Sequence, residues 1–301
     1  MPDSNTLLRH DRAKAIGLVI VAVVMFSCLD ATVKYIVSTT DLPLSQVVWL
    51  RFFCQFLFVV AALGMVSLPR LLRTQRLKHQ VARSVLMLLS TLCNFLALRH
   101  LRLDQTTTIN FLAPLTVALL AGPVLGEWVG WRRMVAIMVG FAGVLVAIRP
   151  GFGGFHPAFL PALGCMFAYA GFILLTRYLA AYDTSDVTLF YSMLIGAVVM
   201  APLAMIDWVW PADAFTWMVL LSLGFWAGLG HYVFIVAHRW APASVLSPFI
   251  YVQLLSVTAC GYLIFGDLPD LWTLIGSAII GAAGINLLNR ERSVHKQEVK
   301  S

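Results

Sequence analysis

The sequence is poor in charged residues. Asp, Glu, Lys and Arg make up 12% of its 301 residues, against about 25% in ordinary soluble domains. Hydrophobic residues make up 60% of the chain, which is more than a soluble core of this size needs. The shortage of charge therefore argues against a soluble globular protein, and it indicates that most of the chain lies in a lipid bilayer.

The sequence also lacks the short patterns that mark common catalytic sites. It contains no H-E-x-x-H, G-x-S-x-G, C-x-x-C or Walker loop. Its five cysteines all fall inside apolar runs, where a free thiol packs as a small hydrophobic group. We therefore expect no enzyme activity, no disulfide framework, no metal site and no cofactor. The net charge of +7 does not indicate a nucleic-acid partner, because the basic residues lie at the ends of apolar runs.

What the sequence does contain is a series of ten apolar runs separated by turn and charge signals. A helix that crosses the membrane needs about 20 apolar residues, so each run predicts one transmembrane helix. The runs are roughly 15–37, 45–66, 80–99, 106–125, 131–149, 157–180, 186–206, 214–236, 242–265 and 271–289. The fold class predicted is an all-α integral membrane protein with ten transmembrane helices.

The distribution of Lys and Arg predicts how these helices are oriented. With the N-terminus inside, sixteen Lys and Arg residues lie on the inner side and three, Arg99, Arg102 and Arg149, on the outer side. Loops rich in Lys and Arg stay in the cytoplasm. We therefore expect both termini, the segments 1–14 and 290–301, to be cytoplasmic, and the protein to lie in the inner membrane of a bacterial cell.

The two halves of the chain, 15–149 and 157–289, resemble each other. At a shift of 140 residues Arg99 aligns with Arg239 and Glu127 with Asp267; at a shift of 141, Gly140 aligns with Gly281. Each half would hold five helices, so the second half enters the membrane from the opposite side. Inverted repeats of this kind are typical of secondary transporters, whose binding site lies near the middle of the membrane.

The plan of five plus five helices resembles the drug/metabolite transporter superfamily in its EamA-type branch. The segments "TTTINFLAPLTVALLAGPVLGEW" (106–128) and "IMVGFAGVLVAIRP" (137–150) are similar to the fourth and fifth helices of that branch. Among its members the chain is most similar to amino acid exporters of the YddG type. The resemblance implies outward transport of amino acids, aromatic and other neutral ones included, and of related small metabolites, with broad specificity and alternating access.

Three charged residues lie inside the first two predicted helices. Asp30 and Lys34 share one face of the first helix, in "FSCLDATVKYI", and Arg51 lies in the second. Counting 1.5 Å per residue from the helix ends places Asp30 and Arg51 about 10 Å below the outer surface. A charge at such depth is costly unless it is neutralised or faces a wet cavity. Two interpretations remain open: an ion pair between the helices, with Lys34 reaching the surface, or a cluster that meets the substrate.

Other polar residues within the predicted helices are further candidates for the substrate site. Pro114 leaves the carbonyl of Asn110 without its usual helical donor. Either this produces a kink that serves helix packing, or the carbonyl and side chain of Asn110 bind a polar group of the substrate. Asn94 is expected to bond to a neighbouring helix, and Glu127 and Asp267 to cap helix ends. The pair Gly224 and Gly228 predicts close packing within the chain rather than a dimer face. The remaining candidates are Tyr169, Tyr191, His231, Tyr251 and Gln253.

The function predicted is therefore a secondary transporter whose partners are small-molecule substrates and the lipid bilayer. The alternatives are a channel or lipid flippase, or an exporter of another metabolite or drug. A channel favours a ring of like groups around a pore, whereas the charges here lie mainly in one half. The protein is expected to be a monomer, with a dimer as the alternative.

Overall fold

The computed structural model describes most of the chain, and the described part is helical. The described ranges are 4–63, 68–113, 115–117, 119–120, 131–149, 156–179, 181–240, 249–250 and 252–298. No strand occurs in those ranges. The helices are α1 Ser4–Thr39, α2 Leu44–Leu63, α3 Leu68–Leu71, α4 Leu77–Leu98, α5 Leu103–Asn110, α6 Trp131–Ile148, α7 Phe159–Leu179, α8 Ser185–Ile206, α9 Ala214–Trp240, α10 Val252–Cys260 and α11 Leu271–Glu298.

Every predicted transmembrane run contains helix, and α3 is a short extra turn between the second and third runs. Within the described residues six helices are long and apolar enough to cross a membrane. Shorter apolar stretches occur in α6, α10 and α11. The six long spans are Ala13–Thr39, Leu44–Ala61, Leu77–Leu98, Phe159–Thr176, Asp186–Ile206 and Ala214–Phe234. The all-α membrane fold is therefore confirmed, with six long and three shorter apolar helices in the described part of the chain.

The helices pack with an approximate two-fold relation between the halves. The relation pairs helices in chain order: α1 with α7, α2 with α8, α4 with α9, α5 with α10 and α6 with α11. The packing of α1 on α9 has its counterpart in the packing of α7 on α4. The packing of α2 on α9 is likewise matched by α8 on α4, while α2 meets α8 and α6 meets α11 directly. Because each half has five spans, the two repeats run in opposite directions through the membrane.

Polar contacts follow the same relation. Ser256 Oγ in α10 lies 2.6 Å from Ser27 Oγ in α1. Thr116, which aligns with Ser256 at the same shift of 140, donates to Met166 Sδ of α7 at 3.0 Å. The equivalent residues Thr116 and Ser256 thus each contact the first helix of the other half, as expected for a repeated structure.

Glycines let the helices of the two halves approach closely. A Cβ on Gly224 of α9 would lie 2.3 Å from Cys54 Cβ and 2.6 Å from the Cys54 carbonyl carbon of α2, and one on Gly228 would lie 2.5 Å from the Phe58 ring. These glycines therefore pack within the chain, which confirms the sequence prediction.

The end of α10 is shaped by a π-helical turn. The turn Gly261–Phe265 is closed by Gly266 at φ 71°, a conformation that an L side chain rarely adopts. The N–H of Gly266 donates to the carbonyl of Tyr262 at 3.0 Å, and the N–H of Asp267 to that of Gly261 at 3.1 Å. This closure directs the chain back toward α1 and places Asp267 beside it.

Candidate functional site

Asp30 lies in the interior of the bundle and is held by a residue of another helix. Its Oδ1 accepts a hydrogen bond of 3.0 Å from Nδ2 of Asn94 in α4. As a residue Asp30 is half-buried. The contact joins α1 to α4 and orients Asp30 toward the interior. Asn94, expected to serve packing, is therefore part of the polar centre.

Arg51 of α2 is nearly fully buried, with 4% of its surface exposed. Its guanidinium carbon lies 4.4 Å from the centre of the Phe52 ring, and Asp30 is the carboxylate with which it interacts electrostatically. Two of its three nitrogens, Nε and Nη1, have no hydrogen-bond partner. A buried donor without a partner costs about 1–3 kcal/mol, so this arrangement is incomplete as it stands.

Two amide oxygens nearby are also without partners. Gln55 lies one turn after Arg51 in α2 and is fully buried; its Nε2 donates to the carbonyl of Ala227 at 3.5 Å, while its Oε1 has no partner. Asn110, at the end of α5, has an unpartnered Oδ1 and contacts Cys165 of α7. The centre therefore presents free donors and free acceptors from several helices.

The helix break at Asn110 agrees with the sequence. α5 ends at this residue, four positions before Pro114, where the missing proline N–H removes the next helical bond. The break places the Asn110 side chain at the end of a helix inside the bundle, where it is available to a ligand. Pro114 itself, like Tyr251, lies outside the described residues.

Three further candidates lie on helices that pack against those of this centre. Tyr169 of α7 stacks on Phe172 with ring centres 5.8 Å apart and is 42% exposed, although it lies within electrostatic range of Cys165 and Arg83. His231 of α9 has Nδ1 2.9 Å from the carbonyl of Ala227, the same carbonyl that Gln55 contacts. Gln253 of α10 is half-buried, and its carbonyl accepts a bond from Ser256.

Lys34 does not neutralise Asp30. Its Nζ lies 3.1 Å from Asp267 Oδ2 and donates to the carbonyl of Leu101 at 3.3 Å. Of the two partners that the sequence offered to Asp30, Arg51 is the one within range. Asp267, expected to cap a helix end, instead joins the two halves of the chain. Lys34 thus belongs to the end of the bundle rather than to its centre.

Tyr191 also lies away from the centre. It is 8% exposed, and its hydroxyl donates to the carbonyl of Leu72 at 2.8 Å, next to α3. Tyr191 lies away from Asp30 because it is near the start of α8, at the opposite end of the bundle from Lys34. The structure gives Tyr191 a contact between loop and helix, and not a place beside Asp30.

Arg83, one of the sixteen Lys and Arg residues assigned from the sequence to the inner side, is a buried residue. It is 6% exposed and donates through Nε to Thr176 at 2.6 Å, and through Nη1 to Ser192 and to the carbonyl of Thr188. Its position within the predicted run 80–99 was the signal that it is not a loop residue. Unlike Arg51, it binds several protein groups.

Within the described residues no group of three or more His, Cys, Asp and Glu could hold a metal ion. What the centre offers instead is one carboxylate, one guanidinium and several amides, a set suited to a polar organic molecule. Asp30, Arg51 and the amides of Gln55, Asn94 and Asn110 all come from helices of the first half, and His231 of α9 lies within electrostatic range of Arg51 from the second half.

A family comparison decides which group of membrane proteins this chain represents. The EamA-like transporter family matches residues 13–149 and again residues 156–290. The chain belongs to the EamA-like transporter family. The match to both halves agrees with the two-fold packing, and the transport class expected from the sequence is confirmed at this level.

Several curated relatives in this family match along most of their length. A riboflavin transporter of Vibrio cholerae is 24% identical over 274 residues, which cover 91% of this chain and 92% of that protein. An S-adenosylmethionine uptake transporter of Rickettsia bellii is 26% identical over 284 residues, 94% of this chain and 96% of that protein. The pseudopaline exporter CntI of Pseudomonas aeruginosa is 25% identical over 272 residues, 90% and 94% of the two chains.

A solved crystal structure has the same fold. It aligns with a TM-score of 0.63 and 21% sequence identity, over 93% of this chain and 98% of that chain. At this identity the likeness concerns the fold alone. The EamA-like chain is thus a multi-pass transporter of small metabolites, and its named relatives differ from one another in substrate and in direction.

Proposed function

We propose that this EamA-like protein is a secondary transporter that exports amino acids and related small metabolites across the bacterial inner membrane. It works by alternating access of the two repeats. The observation that carries the proposal is the polar centre, where Asp30 and Arg51 bring opposite charges into the interior of the bundle. Ionisable residues within membrane helices mark substrate or ion pathways.

The binding site in this proposal consists of the central residues and not of those at the two ends. Asp30, Arg51 and Asn110 supply the polar contacts, while Tyr169 and His231 supply aromatic surface beside them. Gln253 of α10, Pro114 and Tyr251 are assigned to the site by sequence position alone. Lys34 and Tyr191 are left out of the site, because each is engaged at an end of the bundle.

Amino acids are favoured because they carry one positive and one negative group, which suits a centre with one carboxylate and one guanidinium. A second candidate comes from the relatives, whose names include riboflavin and S-adenosylmethionine. Both compounds belong in the test as alternatives. A channel or lipid flippase is distinguished by flux that neither saturates nor exchanges one substrate for another.

The transport test uses purified protein in liposomes. We expect saturable uptake of radiolabelled neutral and aromatic amino acids, and faster exchange when unlabelled amino acid is inside. Asp30→Asn should lower this flux at least tenfold while the yield of monodisperse protein falls less than twofold. If the yield collapses and the surviving variant transports normally, Asp30 is a structural residue. If only riboflavin or S-adenosylmethionine moves, the amino acid proposal is wrong.

The proposed orientation places both termini in the cytoplasm. Three loop positions test it: Asp41 and the position at Pro211 on the outer side, and Arg73 on the inner side. Single cysteines there, in a chain whose native cysteines are replaced, are treated in intact cells with a membrane-impermeant maleimide. The two outer positions should react and Arg73 should not. Reaction at Arg73 alone would show that the orientation is the reverse of the proposed one.

A further inference from the structure

We propose that Arg51 is the carboxylate-binding residue of the transport site, so that the substrates are compounds with a carboxylate beside a positively charged amine. This inference rests on the proposed function and makes it more specific. It assigns the negative group of the substrate to the free nitrogens of Arg51. The positive group is assigned to Asp30 and the neighbouring amide oxygens.

The first argument is that Arg51 is incomplete without a ligand. Its nitrogens Nε and Nη1 are buried and have no partner within the protein. A guanidinium presents its donors in a fixed plane that matches carboxylate oxygens. A carboxylate that enters the centre would therefore satisfy donors that the folded chain leaves open.

The second argument is that Arg51 is held in place. The ring of Phe52, over which its guanidinium lies, packs against Gly196 of α8, where a Cβ would come within 2.5 Å of the ring. Next along α2, Gly224 of α9 packs on the backbone of Cys54 and Gln55. Two close helix contacts thus follow Arg51 directly on α2 and fix its backbone, which lowers the entropy lost when a ligand binds.

The third argument is the contrast with Arg83. Both arginines are buried, at 4% and 6% exposure. Arg83 donates to two hydroxyl groups and a carbonyl, whereas no such bond to Nε or Nη1 of Arg51 exists. Arg83, whose donors bond to protein groups, holds helices together. Arg51, whose Nε and Nη1 have no partner, is available for a substrate.

The surrounding charges agree with this assignment. Asp30 accepts from Asn94 and interacts electrostatically with Arg51 without forming a direct ion pair. His231 is the other titratable group facing Arg51, from α9. The free oxygens of Gln55 and Asn110 are acceptors, which suit an ammonium group. Donors and acceptors without partners therefore lie in one region, as a zwitterion requires.

The test uses four compounds that differ only in their charged groups. L-phenylalanine carries both groups, L-phenylalaninamide lacks the carboxylate, 3-phenylpropionate lacks the amine, and phenethylamine carries the amine alone. Affinities are measured by thermal shift and by equilibrium binding to purified protein in detergent. We expect wild type to bind L-phenylalanine roughly 10- to 100-fold more tightly than its amide.

Arg51→Gln should reduce this preference for the carboxylate to less than threefold, and Arg51→Lys should retain part of it. Arg83→Gln is the matched control, because it removes a buried arginine of the other kind. It should lower the yield of folded protein while the surviving protein keeps the preference. Asp30→Asn should instead reduce the preference for L-phenylalanine over 3-phenylpropionate.

The outcomes separate this inference from the proposed function. If Arg51→Gln or Arg51→Lys keeps the full preference, or if wild type binds neither carboxylate compound at millimolar concentration, the inference is wrong. If amino acids are transported but the preference for L-phenylalanine over its amide does not depend on Arg51, the proposed function is supported and the inference is wrong. If L-phenylalanine binds with a preference that depends on Arg51 and on Asp30 while no amino acid is transported, the inference is supported and the amino acid function is wrong.

Discussion

Individual polar residues in this protein differ in how completely they are bonded, and that difference separates supporting residues from candidates for binding. Asp183, in the loop between α7 and α8, accepts bonds from Thr74 and Gln80 and from the backbone N–H of Gln75. Asp30 accepts one bond, from Asn94. The sequence singled out Asp30 because it lies in an apolar run, and it could not reveal Asp183 because loop carboxylates are common.

Asp183 allows a prediction about pH at the residue scale. Partial burial raises the pKa of its carboxyl group, but the hydrogen bonds from Thr74, Gln80 and Gln75 outweigh burial and leave the pKa below its ordinary value. A lowered pKa in the folded state stabilises the fold above the unfolded pKa of about 4. The stabilisation is lost as the pH falls through the folded pKa.

We therefore expect Asp183→Asn to destabilise the protein at pH 7 by about 1 kcal/mol, a modest effect because water screens a half-exposed carboxylate. The difference in melting temperature between variant and wild type in detergent should shrink once the pH falls below about 4. Asp41→Asn, in the exposed loop before α2, is the control and should change little. An equal loss at every pH would show that the charge of Asp183 is not what stabilises the loop.

At the scale of helices, close packing depends on positions where no side chain fits. The contact of α9 with α2 passes over Gly224, where an added Cβ meets backbone as well as side-chain atoms. Backbone cannot rotate out of the way as a side chain does, so the helices must separate. The spacing of Gly224 and Gly228 predicted a close contact, but the partner helix became known only from the tertiary structure.

We expect Gly224→Ala to lower the stability of the purified protein by roughly 1–3 kcal/mol, as overpacking does in well-packed cores. Gly17→Ala in α1 is the matched control, since nothing lies within 4 Å of its Cβ position. That control should be neutral or slightly stabilising, because alanine favours helix over glycine. The measurement is the melting temperature of each purified variant in detergent. An equal change in melting temperature for Gly224→Ala and Gly17→Ala would contradict the packing argument.

At the scale of the whole molecule, two ion pairs join the halves at one end of the bundle. Lys34 pairs with Asp267 at 3.1 Å, and Arg149 with Asp270 at 2.8 Å. In each pair one residue belongs to the first repeat and the other to the second. Alternating access requires contacts between repeats to break at the end that opens, so these pairs are expected to oppose opening at that end.

We expect Asp267→Asn and Lys34→Gln each to favour the state that is open at this end, because each removes the ion pair. A partly exposed ion pair contributes at most about 1 kcal/mol, so the population of the open state should rise by at most about fivefold. The measurement is the rate at which a water-soluble maleimide labels Cys260, with the other four cysteines replaced. The double variant should label no faster than either single variant, because both changes remove the same contact.

Asp213→Asn is the control for this experiment. Asp213 lies in the loop between α8 and α9, at the same end, and bonds within its own half to the N–H of Thr216 at 2.7 Å. Its loss should leave the labelling rate unchanged. If Asp213→Asn accelerates labelling as much as Asp267→Asn, general loss of negative charge explains the effect and the pair does not hold the halves together.

The sequence by itself determined the class, the number of spans and the repeat, because apolar length and repeated positions are local properties of the chain. It also selected Asp30, Arg51 and Asn110 as candidate site residues, since polar groups within apolar runs are visible without a fold. The partners were decided by tertiary structure: Asn94 for Asp30 and Asp267 for Lys34. These pairs are 64 and 233 residues apart, and only helix packing determines which distant side chains meet.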